Sequence, residues 1–174
     1  MEYFPLQYRL HGEERFLIWI SGEKDTLAMD SGRGSLQSFP SLIALRQYAG
    51  ANGWPIEDED ATPHDLDAIA SWVASPETPL DCEEALLAWN LFCDVANSVT
   101  GDRKSQFETL DSQLGSLYEK LLLADNLPAV APEGKPFAPT LSQDEVRSIA
   151  ALLSAGLKLF VSCTLSVPHE SRMN

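Results

Sequence analysis

Groups able to do chemistry are few in this 174-residue chain, and they stand far apart. The histidines are His11, His64 and His169, with no two at metal-ligand spacing. His64 with Asp65 and Asp67 is the one clustered set. On a helix, residues 64 and 67 would share a face and make at most a bidentate metal site. The first turn of a helix explains the same residues without a metal, because Asp65 would there favour the helix dipole. No metal is expected. Cys82, Cys93 and Cys163 form no CxxC pair and are odd in number, which suits reduced thiols. Cys82 and Cys93 are separated by three helical turns, about 16 Å at 1.5 Å per residue, too far to share a metal or a disulfide. They are expected to be small buried apolar residues. Gly32-Arg33-Gly34 is too short for a phosphate loop and lacks the strand–loop–helix setting. The many acids show no spacing that selects a glycosidase pair. The chain therefore reads as a non-enzyme with no catalytic residues and no cofactor.

The acids matter for where they fall. Asp and Glu number 26 against 12 Lys and Arg, a net charge of −14. Between Arg46 and Arg103 there is no Lys or Arg, while twelve acids run from Glu57 to Asp102, so most of the imbalance is local. A polyanion of this kind repels nucleic acid and anionic lipid, whose recognition relies on Lys and Arg. Neither is an expected partner. Mutual repulsion within the segment opposes folding, and screening over ~8 Å relieves only part of it. Such a face is either the solvated surface of an acidic protein or a surface that meets a cationic partner. Trp54 precedes Pro55 and the run Glu57, Asp58, Glu59, Asp60, with Asp65, Asp67 and Trp72 following. An aromatic anchor rimmed by carboxylates is the makeup of an interface. Trp54, Glu57, Asp58, Glu59, Asp60, Asp65 and Asp67 are thus the candidate partner-binding residues; core packing is the alternative for both tryptophans.

The elements that would position these residues divide along the chain. Residues 1–40 read as mainly β: Phe16 to Ile20 is a short aromatic and β-branched strand, and Thr26 to Met29 pairs back after a turn. Tyr3 to Leu10 adds an edge strand, since Pro5 argues against a central one. Residues 41–126 read as helical. Ser41 opens a helix ending near Asn52-Gly53, and Thr62 with Pro63 starts a second, on which Leu66, Ile69, Ala70 and Val73 share a face. Asp81 caps a third, apolar around nearly its whole circumference from Leu86 to Val99, as suits the centre of a bundle. A fourth carries Phe107, Leu110, Leu114, Leu117 and Leu121 on one face and fades near Asp125-Asn126. Pro128, Pro132, Pro136 and Pro139 make residues 127–140 a connector, and Ser142 with Glu145 makes a capping box before a helix over 141–167. The expectation is one α+β domain over residues 1–174, a small antiparallel sheet followed by about five helices.

The segment Leu86-Leu87-Ala88-Trp89-Asn90-Leu91-Phe92-Cys93-Asp94-Val95-Ala96, with Leu80-Asp81-Cys82 before it, resembles bacterial immunity proteins, the small inhibitors of polymorphic toxins that include contact-dependent growth inhibition systems. Phe39-Pro40-Ser41-Leu42, Tyr48-Ala49 and the acidic stretch look similar too, so the likeness covers residues 36 to 99. It implies a cytoplasmic protein that binds one cognate toxin domain and has no catalytic site. A nuclease toxin has a basic, phosphate-reading cleft, which clustered Asp and Glu would complement and reach quickly. A non-catalytic adaptor or a secretion-chaperone-like module is the alternative. Trp89, Asn90 and Asp94 are expected to be structural, with Asp94 partnered inside the fold because a buried carboxylate must be paired or hydrogen-bonded. The opening residues carry no basic start or apolar run of a leader. Residues 149–167 nearly match a membrane span in length, but Lys158 and five Ser, Thr or Gly residues make a buried helix the expectation.

Overall fold

Two nine-residue strands, β1 (Glu2–Leu10) and β2 (Glu13–Ser21), pair antiparallel across a two-residue turn. His11 and Gly12 occupy that turn with φ of 54° and 74°, the left-handed pair that matches the twist of a tight hairpin. The computed structural model describes residues 1–30, 32–126 and 140–164. β3 (Thr26–Leu27) pairs back onto β2 at Trp19 and Ile20, and β4 (Met29–Asp30) with β5 (Ser35–Leu36) forms a second small sheet. The fold is α+β, with six α-helices among the described residues.

The main sheet differs from the expected one in a way that creates the site. Its order is β3-β2-β1-β6, where β6 is Thr62–Asp65 and runs parallel to β1 from Leu6↔Thr62 to Arg9↔Asp65. The sheet is therefore mixed rather than antiparallel, and β1 is interior rather than an edge. Thr62-Pro63, read as a helix start, is instead an edge strand, where a missing proline N–H is tolerated. Beyond Leu6 the pairing lapses: β1 next meets this part of the chain at the Tyr3–Ile56 bridge. Phe4 and Pro5 thus have no strand on that side, and residues 57–61 arch away from them. Pro5 sits where no N–H is required.

Helices cover both faces of the sheet. On one, α1 (Leu42–Ala51), capped by Ser41, packs with Ile18, Phe39, Leu45 and Ala49 in a small core. On the other lie α2 (Leu66–Ala74), α3 (Cys82–Ser98) and α6 (Gln143–Thr164), joined in a large core with Leu6, Leu17, Trp89, Phe92 and Phe160. α3 is central, as its all-round apolarity predicts: it packs on α2, α6, β3 and β6, and on α4 (Ser105–Gln113) and α5 (Gly115–Asn126). α4 and α5 replace the single fourth helix expected, because the chain turns at Leu114 before Gly115-Ser116. Asp81 accepts from Glu84 N at 3.2 Å, and Ser142 and Glu145 form the reciprocal box at 2.7 and 3.2 Å. α6 is long and apolar enough to cross a membrane by length and composition, and its apolar face is buried on α2, α3 and α4. The connector expected at 127–140, Thr140 apart, and the helix residues expected at 165–167 lie outside the described residues.

Candidate functional site

The lapse between β1 and the 57–61 arch leaves a cleft of about 270 Å³ against α3. Pro5, Leu6, Leu91 and His64 are its buried floor, and Phe4, Trp19 and Leu87 are half-buried walls. Glu59 and Asp60 from the arch and Asn90 from α3 form the exposed mouth, with half-buried Asp94 below. Helical geometry explains the α3 contribution, since Leu87, Asn90, Leu91 and Asp94 fall at i, i+3, i+4 and i+7 on one face. Sheet geometry supplies the opposite wall: Phe4 and Trp19 are cross-strand partners with ring centroids 5.2 Å apart at 44°.

Asp94 is the unusual group. Burial pushes its carboxyl up to about 7, and repulsion from Asp25 adds to the rise. The expected internal partner is only half supplied. The indole N–H of Trp19 favours the ionised carboxyl in part, yet this buried nitrogen makes no well-formed hydrogen bond among the described residues. Trp19 Nε1 is therefore a buried donor without a fully formed acceptor among the described residues. His64 is buried too, its Nδ1 3.1 Å from Thr62 O, and desolvation lowers its pKa so that the ring stays neutral. It lies on a strand, so 64 and 67 do not share a helix face. Among the described residues no group of three or more His, Cys, Asp or Glu is placed to hold a metal.

The seven partner candidates separate into two kinds. Asp65 and Asp67 are occupied within the fold. Asp65 caps α2 through Ala68 N at 3.0 Å and pairs with Arg9. Burial pulls its pKa upward, but the hydrogen bonds from Ala68 and Arg9 outweigh that and hold it low. Asp67 accepts from His11 N at 2.7 Å and Gly12 N at 2.8 Å, clasping the hairpin turn to α2. Asp67→Ala should therefore lower stability by about 1–2 kcal/mol in urea unfolding, whereas Glu59→Gln should stay within about 0.5 kcal/mol. Equal effects would deny the division. Glu57, Asp58, Glu59 and Asp60 are all exposed, and among the described residues only Asp58 forms an ion pair, with Arg46 at 3.3 Å while fully exposed itself. Trp54 is half-buried on the far sheet face, stacked on Tyr3 at 5.4 Å and edge-on to Tyr48 at 5.9 Å. It packs in the small core, away from the cleft lining.

Trp89 and Asn90 tie α3 to α4 and α5. Trp89 Nε1 donates to Asp111 at 2.7 Å, and Tyr118 donates its hydroxyl to Asn90 Oδ1 at 3.0 Å. Cys93, also near Asp111, is half-buried; burial and the charges of Asp111 and Asp94 push its thiol up to about 12. Cys163 is fully buried. Alkylation at pH 8 should be slow in the native protein and fast in guanidinium, for Cys93 because the reactive thiolate is disfavoured and for Cys163 because it is fully buried. Rapid native labelling of both would contradict this packing.

Phe4, Trp19, His64, Leu87 and Leu91 are site residues that sequence reasoning did not assemble. The one sequence signal for them was the pair Asn90 and Asp94, polar at helical spacing in an otherwise apolar helix.

No protein-family profile matches this chain, and no curated protein matches it in sequence. A crystal structure of the SatS C-terminal domain in complex with bromine is similar in fold, with a TM-score of 0.55 over 94% of this chain and 92% of that one at 16% identity. That likeness concerns the fold alone.

Proposed function

We propose that this chain is a cytoplasmic immunity protein, a non-catalytic inhibitor that binds a basic toxin domain, of nuclease type, one to one. The observation that carries the reading is the acidic arch: Glu57 to Asp60 stand exposed, Glu59 and Asp60 at the mouth of an apolar cleft, and among the described residues their carboxylates form no ion pair beyond that of Asp58 with Arg46. Charge on such a rim sets encounter rate and partner choice, while an apolar floor supplies the desolvated centre that holds a complex. The same charge argues against nucleic acid and anionic membrane as partners. The resemblance of residues 36 to 99 to immunity proteins supports the toxin as the partner's class.

The alternative, an adaptor or secretion-chaperone-like module, would use the same apolar floor to hold an extended client segment. The two separate on what binding does. The test is to purify the captured basic partner and measure its activity with and without this chain. An immunity protein silences the folded partner at one equivalent; a module that leaves a folded partner active, or binds only its unfolded form, overturns the inhibitor reading.

A further inference from the structure

We propose that the cleft between β1, the 57–61 arch and α3 is the seat of one arginine side chain of the protein partner, its stem lying along Phe4, Trp19 and Leu91 and its guanidinium meeting Asp94 and Asp60. The existence of the partner rests on the preceding reading, whereas the preference of the cleft stands on its own geometry.

The occupant is defined by what lines the space. Apolar walls carrying carboxylates, Glu59 and Asp60 at the mouth and Asp94 beneath, suit a ligand that is apolar along its stem and cationic at its head. An anion would meet Glu59, Asp60 and Asp94 together, and a wholly apolar chain would bury Asp94 without a partner. At about 270 Å³ the cleft lies just below the roughly 300–1,000 Å³ usual for small-molecule sites, so a single side chain fits better than a metabolite. The cation is missing from the fold: among the described residues, none of Glu59, Asp60 and Asp94 pairs with a Lys or Arg.

The unmet donor of Trp19 gives an independent reason. A protonated Asp94 is a poor acceptor for the buried indole N–H. A guanidinium inside the cleft draws Asp94 to its carboxylate, which is a charged acceptor for that same N–H. Occupancy thus strengthens the partial contact between the Trp19 indole and Asp94. Arginine suits the seat better than lysine, because its planar head stacks on aromatic rings, binds carboxylates through two N–H groups and is less strongly hydrated. The ionisable groups facing Asp94 are Asp25 from the β2–β3 turn, Glu59 and Asp60 from the arch, and His64 from β6. Neutral His64 places no positive charge against the guest. Affinity should rise as pH climbs through about 7, where Asp94 gives up its proton.

The experiment follows the indole N–H resonances of Trp19, Trp54, Trp72 and Trp89 in the full chain, labelled with ¹⁵N tryptophan. The probe is acetyl-Gly-Arg-Gly-amide, titrated to about 10 mM, a range suited to a single side chain. Its neutral control replaces arginine with citrulline, which has nearly the same shape. The expected result is a saturable shift of the Trp19 resonance at pH 8, about tenfold weaker at pH 5.5 and about tenfold weaker with citrulline. Asp94→Asn should abolish it and Asp60→Asn should weaken it, with unshifted Trp54, Trp72 and Trp89 signals reporting that each variant is folded. Equal response to citrulline, a response that survives Asp94→Asn, or no Trp19 shift at all would overturn the arginine seat. Failure here with an intact inhibitory complex removes the seat and leaves the immunity reading. A Trp19 response with no inhibited partner does the reverse.

Discussion

Asp94→Asn is expected to stabilise the protein at pH 8 by about 2 kcal/mol and to leave it nearly unchanged at pH 4. The reason lies in proton linkage. The Asp94 carboxyl sits near 7 in the folded chain and near 3.9 when unfolded, so between those values the folded state holds a proton that the unfolded state has lost. Stability must fall as pH rises through that window. Full burial would make the loss about 4 kcal/mol at 1.36 kcal/mol per pH unit, and solvent at the half-buried carboxyl reduces it to about 2. Asparagine has no proton to lose, so the variant escapes the decline. His64 acts the other way: its lowered pKa makes stability fall as pH drops below about 6.5, but equally in both proteins. The difference between wild type and variant, from urea unfolding at several pH values, isolates Asp94. Parallel curves from pH 4 to 8 would show that Asp94 ionises normally and that the cleft is not poised as described.

Gly156→Ala should produce the largest loss. Gly156 lies on the buried face of α6 where that helix crosses α3, and a Cβ there would fall 2.0 Å from Cδ2 of Phe92. Phe92 cannot easily yield, because its ring is 6.2 Å from Phe107 and 6.5 Å from Phe160, both fully buried. Alanine would otherwise improve a helix interior by about 1 kcal/mol. Overpacking should exceed that gain and leave a net loss of about 2–3 kcal/mol, or about 5–10 °C in Tm. Phe92→Leu, though costly alone, should lessen the damage when combined with Gly156→Ala, a coupling that a double-mutant cycle measures. Additive losses would mean that the two residues do not touch.

These two sites mark what the sequence could and could not reveal. Local chemistry was legible: Asp81 and the Ser142–Glu145 box each cap the helix they announce, because capping depends on residues three apart. The central place of α3 was legible from its all-round apolarity. The reading failed at Thr62-Pro63-His64-Asp65, which has the composition of a helix start. Four residues carry no usable period, and their parallel pairing with β1 depends on a chain segment more than fifty residues away. With that strand misplaced, the lapse beside Phe4 and Pro5 could not be foreseen, nor the cleft it opens. The acidic segment was legible as a charge imbalance, but composition could not separate Asp65 and Asp67, bound within the fold, from the exposed arch. Asn90 and Asp94 were legible as an oddity, and the structure places both on the cleft.

The central claim is that the arch and cleft receive a basic partner. It is tested most directly by stopped-flow association of the purified partner with wild type and with the Asp58→Asn, Glu59→Gln, Asp60→Asn triple variant, from about 50 to about 500 mM salt. Wild-type association should slow steeply with salt, and the variant should associate about tenfold more slowly at low salt with a flatter dependence. The fold should be unchanged or slightly stabilised, since like charges have been removed. If the triple variant associates as fast as wild type with the same salt dependence, the partner docks elsewhere and the acidic arch is only solvated surface.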